Sequence, residues 1–85
     1  MAAYSVSIKA SALKELEKLP KADLAKVFGR MEALKDDPRP AGAVKLTVAD
    51  LFRIRQGNHR ILYSIDDKAA QVEVIKIGHR SEVYR

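Results

Sequence analysis

Cysteine is absent from this chain of 85 residues, which removes disulfide staples and thiolate metal sites together. Histidine occurs only as His59 and His79, too few for an imidazole-based metal cluster. No metal or other cofactor is expected. No stretch approaches the roughly 20 apolar residues of a membrane span, and the N-terminus lacks the basic-then-apolar pattern of a secretory leader. These absences predict a soluble, cytoplasmic protein with no membrane partner. Aromatic residues make up 6%, and few interleave with basic ones, which weighs against a stacking platform for single strands. Repeats and low-complexity runs are missing too. The length allows one domain, residues 1–85, with a modest core.

What the chain has is positive charge. Sixteen Lys and Arg against eleven Asp and Glu leave a formal charge of +5, which points to an acidic partner. Nucleic acid fits first, an acidic protein second, a membrane surface last.

The apolar pattern predicts the elements. Tyr4 to Lys9 alternates apolar and polar and predicts a half-buried strand with Tyr4, Val6 and Ile8 inward. Ser11 can cap a following helix, along which Leu13, Leu16 and Leu19 make one stripe beside Ala12. Pro20 interrupts that helix. A second fits Lys21 to Lys35, with Leu24, Val27, Phe28, Met31 and Leu34 on one core face. Gly29 costs about 1 kcal/mol relative to Ala in a helix and predicts a close helix contact. Asp36 to Gly42 is a loop. Val44 to Thr47 predicts a short extended piece, followed by strands at Leu51–Gln56, Ile61–Ile65 and Gln71–Ile77. The order β-α-α-β-β-β predicts an α+β fold, with two N-terminal helices packed on one face of a mainly antiparallel sheet.

The stretch Leu51 to Arg60 organises the rest. Gly57-Asn58 predicts a two-residue hairpin turn, so Gln56 faces His59 and Arg55 faces Arg60. Phe52, Ile54, Ile61 and Tyr63 then share the core side, while Arg53, Arg55 and Arg60 share the other. Like charges directly opposite destabilise a sheet. Guanidiniums in such a pair suit a polyanion, because each is a planar fork of donors matched to phosphate. A turn at Asp66–Ala70 pairs Leu62 with Lys76 and Arg60 with Gly78, which adds Lys76 to the arginine side. Strict alternation would then turn Glu73, Ile75 and Ile77 toward the helices.

Leu51-Phe52-Arg53-Ile54-Arg55-Gln56-Gly57-Asn58-His59-Arg60-Ile61-Leu62-Tyr63 resembles the central hairpin of RelE/ParE-type toxins. Gly78-His79-Arg80-Ser81-Glu82-Val83-Tyr84 resembles that family's closing segment, and Ala12-Leu13-Lys14-Glu15-Leu16-Glu17-Lys18-Leu19-Pro20 its first helix. The resemblance covers nearly the whole chain. It implies a RelE-type mRNA interferase: a metal-independent endoribonuclease of a type II toxin–antitoxin pair that cuts mRNA in the ribosomal A site. It also implies a cognate antitoxin. By the same resemblance Arg53, Arg55, Arg60, Arg80 and Tyr84 are the catalytic candidates. The early two positions often carry Lys in relatives. The segment between Arg80 and Tyr84 is shorter than in some members, and a C-terminal helix found in some relatives is not expected here.

The chemistry agrees in part. Cleaving RNA by its own 2′-hydroxyl needs a base, positive charge on the phosphorane and an acid for the leaving 5′-oxygen. Arginine supplies charge but not proton transfer, since its pKa stays above about 12. Tyr84, with a pKa lowered by nearby cations, and His79, with suitable intrinsic acidity, both remain open as proton carriers. Lys45, Lys76 and His79 are accessory RNA contacts; His59 reads as a surface residue and Tyr63 as core. Two other functions fit the same scaffold: a ParE-like inhibitor of DNA gyrase that does no RNA chemistry, and a non-catalytic nucleic-acid-binding module.

Overall fold

The computed structural model describes residues 3–47 and 50–79. The elements are β1 (Ser5–Ile8), α1 (Ala10–Glu17), α2 (Lys21–Ala33), β2 (Val44–Lys45), β3 (Phe52–Gln56), β4 (His59–Asp66) and β5 (Gln71–His79). They form a five-stranded sheet in the order β1-β5-β4-β3-β2. Every neighbouring pair is antiparallel except β1 with β5, where Ser5 lies beside Gln71 and Ile8 beside Val74. The expected order holds, and Val44–Lys45 contributes a short edge strand.

Both helices cover one face of the sheet. Ala12 and Leu16 from α1, and Val27 and Met31 from α2 with Leu34 just beyond it, meet Ile54, Ile61, Tyr63, Val72, Val74 and Ile77 in one buried cluster. The first helix starts two residues earlier than Ser11 would set it. Lys9 donates its N–H to the Val74 carbonyl (2.9 Å), as the last rung of the strand, and its own carbonyl accepts from Leu13 N–H (2.9 Å). Lys9 is thus both strand end and helix cap, and Ser11 lies inside the first turn. Pro20 restarts the chain as the cap of α2, where its carbonyl accepts from Leu24 N–H (2.8 Å).

Two helix positions depart from the periodicity. Leu13 and Phe28 are 42% and 45% exposed and do not join the core. The helices present narrower apolar stripes than their sequences allow, centred on Leu16 and on Val27 and Met31. Gly29 makes no close contact, since a Cβ built there meets nothing within 4 Å.

The strand register corrects one expectation. Leu62 pairs with Lys76 and Arg60 with Gly78, but Tyr63 pairs with Val74, so a bulge at Ile75 interrupts the ladder. Val72 and Val74 therefore face the helices and are fully buried, while Glu73 is exposed. The bulge spares the protein a carboxylate in its core, which strict alternation would have required.

Candidate nucleic-acid interface

The site begins with the hairpin turn. Gly57 has φ +61°, and Asn58 is not among the positive-φ residues, which is the type II′ pattern that matches the twist of paired strands. A two-residue turn fixes the pairing: Gln56 lies opposite His59, Arg55 opposite Arg60, Ile54 opposite Ile61, Arg53 opposite Leu62. Ile54 and Ile61 are fully buried against the helices. Parity then sets Arg53, Arg55 and Arg60 together on the outer face. In an antiparallel hairpin the pair next to the closing one is the close, non-hydrogen-bonded kind, with Cα atoms about 4.5 Å apart. Arg55 is exposed, whereas Arg53 and Arg60 are half-buried and their Nε atoms are shielded from solvent. Leu62, on the same face, is only 6% exposed.

The bulge decides what joins them. Val72 and Val74 point inward, so uninterrupted alternation would also send Lys76 and Gly78 inward. The extra residue at Ile75 reverses the parity and turns Lys76 and Gly78 to the arginine side, while Ile77 fills the core. Re-aiming side chains is a recurring use of bulges.

Lys76 is held where it emerges. β1 ends at Ile8, so β5 past Val74 has no strand on that flank. Glu15 of α1 takes its place: Oε1 accepts from Ile77 N–H (3.0 Å), and Oε2 accepts from Lys76 Nζ (3.3 Å). The carboxylate satisfies an edge donor and draws Lys76 toward the helix.

At the far end of the sheet a second network pins the loop after α2. Arg39 donates two parallel hydrogen bonds to Asp67 (3.2 and 2.9 Å), and the Tyr4 hydroxyl donates to the same carboxylate (2.7 Å). The guanidinium also lies 5.3 Å from the Phe52 ring centroid. Arg39, and then the Tyr4 hydroxyl, hold the Asp67 carboxyl below its ordinary pKa, while that carboxylate raises those of Tyr4 and Arg39. Tyr63 closes the clamp from within, donating to the Pro38 carbonyl (2.7 Å). Burial pushes its hydroxyl up to about 12.

A family model described as the ParE toxin of a type II toxin–antitoxin system matches residues 6–84. The chain belongs to the RelE/ParE toxin family. Toxin RelG of Mycobacterium tuberculosis is 32% identical over 84 residues, covering 96% of this chain and 97% of that protein. Toxin RelE of the same organism is 35% identical over 86 residues, covering 96% and 87%. Among solved structures, a RelBE toxin–antitoxin complex of M. tuberculosis superposes with a TM-score of 0.81 at 32% identity, covering 92% of this chain and 99% of that one. The isolated Escherichia coli RelE toxin gives 0.80 at 30% identity, covering 96% and 92%. This is therefore a type II toxin–antitoxin toxin with a RelE-like fold.

In this toxin the sequence-predicted residues divide. Arg53, Arg55, Arg60 and Lys76 share the outer face. Lys45 pairs with Phe52, so its parity is that of the core side, and it sits in an exposed ion pair with Asp50 (3.6 Å). His79 pairs with His59, also with core-side parity, and the two rings meet edge-on at 6.3 Å. Arg80 and Tyr84 lie outside the described residues. No group of three or more metal-ligating side chains occurs among the described residues, and no described helix is long and apolar enough to cross a membrane. Glu15 escaped the sequence reading, which did place Gly78 opposite Arg60. For Glu15 the periodicity marks only a polar helix position. Gly78 carried a signal, a glycine inside a β-branched strand opposite an arginine.

Proposed function

We propose that this toxin is a ribosome-dependent endoribonuclease that cuts mRNA in the A site and so stops translation. The observation that carries the proposal is the direct pairing of Arg55 with Arg60, with Arg53 on the same face. Such a pair costs a sheet stability and gives it nothing; it suits a phosphate whose charge grows during reaction. When the 2′-oxygen attacks the adjacent phosphorus, a pentacoordinate dianion forms, and the 5′-oxygen leaves with a proton. Preorganised donors stabilise that charge without reorganising, and removing one costs about 10²–10³ in rate. Arg60 is half-buried with its Nε shielded, which limits its freedom to move. Tyr84 enters by family resemblance, as the group that moves the proton or stacks on the scissile nucleotide, with Arg80 completing the cationic set. Relatives of this chain are toxins named RelE and RelG, and several similar structures are complexes with an antitoxin. A cognate antitoxin is accordingly the expected inhibitor, with mRNA on the ribosome as the target.

A second function has one observation in its favour: the matching family model is described as a ParE toxin. A ParE-like protein would inhibit DNA gyrase by binding, without RNA chemistry. One experiment separates the two. The toxin is added to a purified translation system, and mRNA ends are mapped. New ends within ribosome-bound message support the nuclease. Intact message, together with DNA breaks in a gyrase assay, supports the inhibitor and refutes the nuclease.

A further inference from the structure

Gly78 sits in the interior of β5, directly opposite Arg60, on the face that the Ile75 bulge turns outward. Its backbone does not require glycine: among the described residues positive φ occurs only at Gly42, Gly57 and Ala70. A strand interior is an unfavourable place for glycine, which adds no packing there; where one stands, a ligand or another backbone often approaches closely. Among the described residues both helices pack on the opposite face of the sheet.

Gly78 is half-buried. Lys76, the preceding residue on that face, is drawn aside to Glu15 Oε2 (3.3 Å). Leu62, on the same face, is 6% exposed. Beyond Gly78, between α1 and the ends of β4 and β5, lies a cleft of about 470 Å³ whose walls include Lys18, His59, Lys76, Gly78 and His79. Gly78 and Lys76 thus border both the arginine face and the cleft. Gly78 puts no side chain between the Arg60 side of the strand and the cleft that holds Lys18.

We propose that Gly78 is a substrate-approach position, where the ribose–phosphate backbone of single-stranded RNA crosses the sheet from the Arg55–Arg60 pair into the cleft beside Lys18. This rests on the nuclease function proposed above and names the route its substrate takes. A side chain at 78 would stand beneath the scissile nucleotide and lift its phosphate from Arg60.

The test compares Gly78→Ala, Gly78→Val and the control Ser64→Val, which adds bulk on the same face but off the route, opposite Glu73. Each is melted and then assayed for single-turnover cleavage of ribosome-bound message over a range of toxin concentrations. Valine favours strands, so Gly78→Val should melt at or above the parent temperature. Its cleavage should fall about a hundredfold, as expected when a reacting group is displaced by an ångström. Gly78→Ala should fall between it and the parent, and Ser64→Val should match the parent. Parental cleavage by Gly78→Val overturns the inference and leaves the nuclease intact. A Gly78→Val protein that melts early, beside a Gly78→Ala protein with parental rate, overturns it too, since the glycine would then serve the fold. A parent that leaves ribosome-bound message whole overturns the nuclease function itself.

Discussion

Replacing Tyr63 by Phe separates what a buried hydroxyl does from what its ring does. The ring is fully buried and stacks on Phe52 with centroids 5.9 Å apart and planes at 25°. Phe keeps both contacts. What goes is the hydrogen bond to the Pro38 carbonyl (2.7 Å), leaving a buried acceptor without its donor. Such a loss costs about 1–2 kcal/mol, or roughly 5–15 °C in Tm for a domain of this size. Alkali should reverse the order. The folded-state pKa of Tyr63 is raised to about 12 from an ordinary 10, because burial disfavours the phenolate. Between those values the unfolded chain releases a proton that the folded chain keeps, so stability falls as pH rises. Two units correspond to roughly 3 kcal/mol. The Phe variant has no such proton, and titrations elsewhere are common to both proteins. Urea unfolding from pH 8 to 12 should therefore show the parent ahead at pH 8 and the curves converging, then crossing, above pH 10. A gap that stays constant over the whole range would refute the reasoning. Cleavage at neutral pH should be unchanged, since Tyr63 faces away from the arginines.

Three further outcomes are expected. Gly29→Ala should raise stability by about 1 kcal/mol in urea unfolding, because the helix gains propensity and the added Cβ meets nothing within 4 Å. The Asp67 carboxyl is held below its ordinary pKa by Arg39 and Tyr4, so its contribution is present above the unfolded value and is lost as pH falls through the lower folded one; Asp67→Asn should flatten that acid limb of the stability curve, and an unchanged limb would count against the clamp. Arg55→Thr should raise stability by a few tenths of a kcal/mol, about the cost of a like-charge cross-strand pair, while lowering cleavage; a variant both less stable and fully active would contradict the functional use of the pair.

Much of the site was legible because one turn fixes it. Gly57-Asn58 sets the parity of everything from Phe52 to Tyr63, and the structure pairs those residues as the sequence predicts. The far strand was harder. Val72-Glu73-Val74-Ile75-Lys76-Ile77 offers apolar residues at both parities, so alternation alone cannot locate a bulge within it. Glu73 was the clue: an alignment that sends a carboxylate into the core implies a shift of one residue between it and Lys76. Leu13 and Phe28 misled for another reason, since periodicity reports which side chains could be buried, whereas only those at the centre of each stripe are. The parallel pairing of β1 with β5 joins the two ends of the chain, and no local pattern encodes so distant a contact. Glu15 belongs with it, since its role exists only because β1 stops at Ile8 and leaves Ile77 N–H to be satisfied.

The central claim is that the outer-face arginines form one unit acting on a phosphate of the message. Single-turnover cleavage of ribosome-bound mRNA by the parent, Arg55→Ala, Arg60→Ala and the double variant tests it directly, with thermal melts showing that each protein is folded. Groups that serve one transition state are not additive. Arg60→Ala should lose about 10²–10³ in rate, and the double variant should lose clearly less than the product of the two single losses. Folded variants that cleave at the parental rate, or losses that multiply independently, would contradict the account.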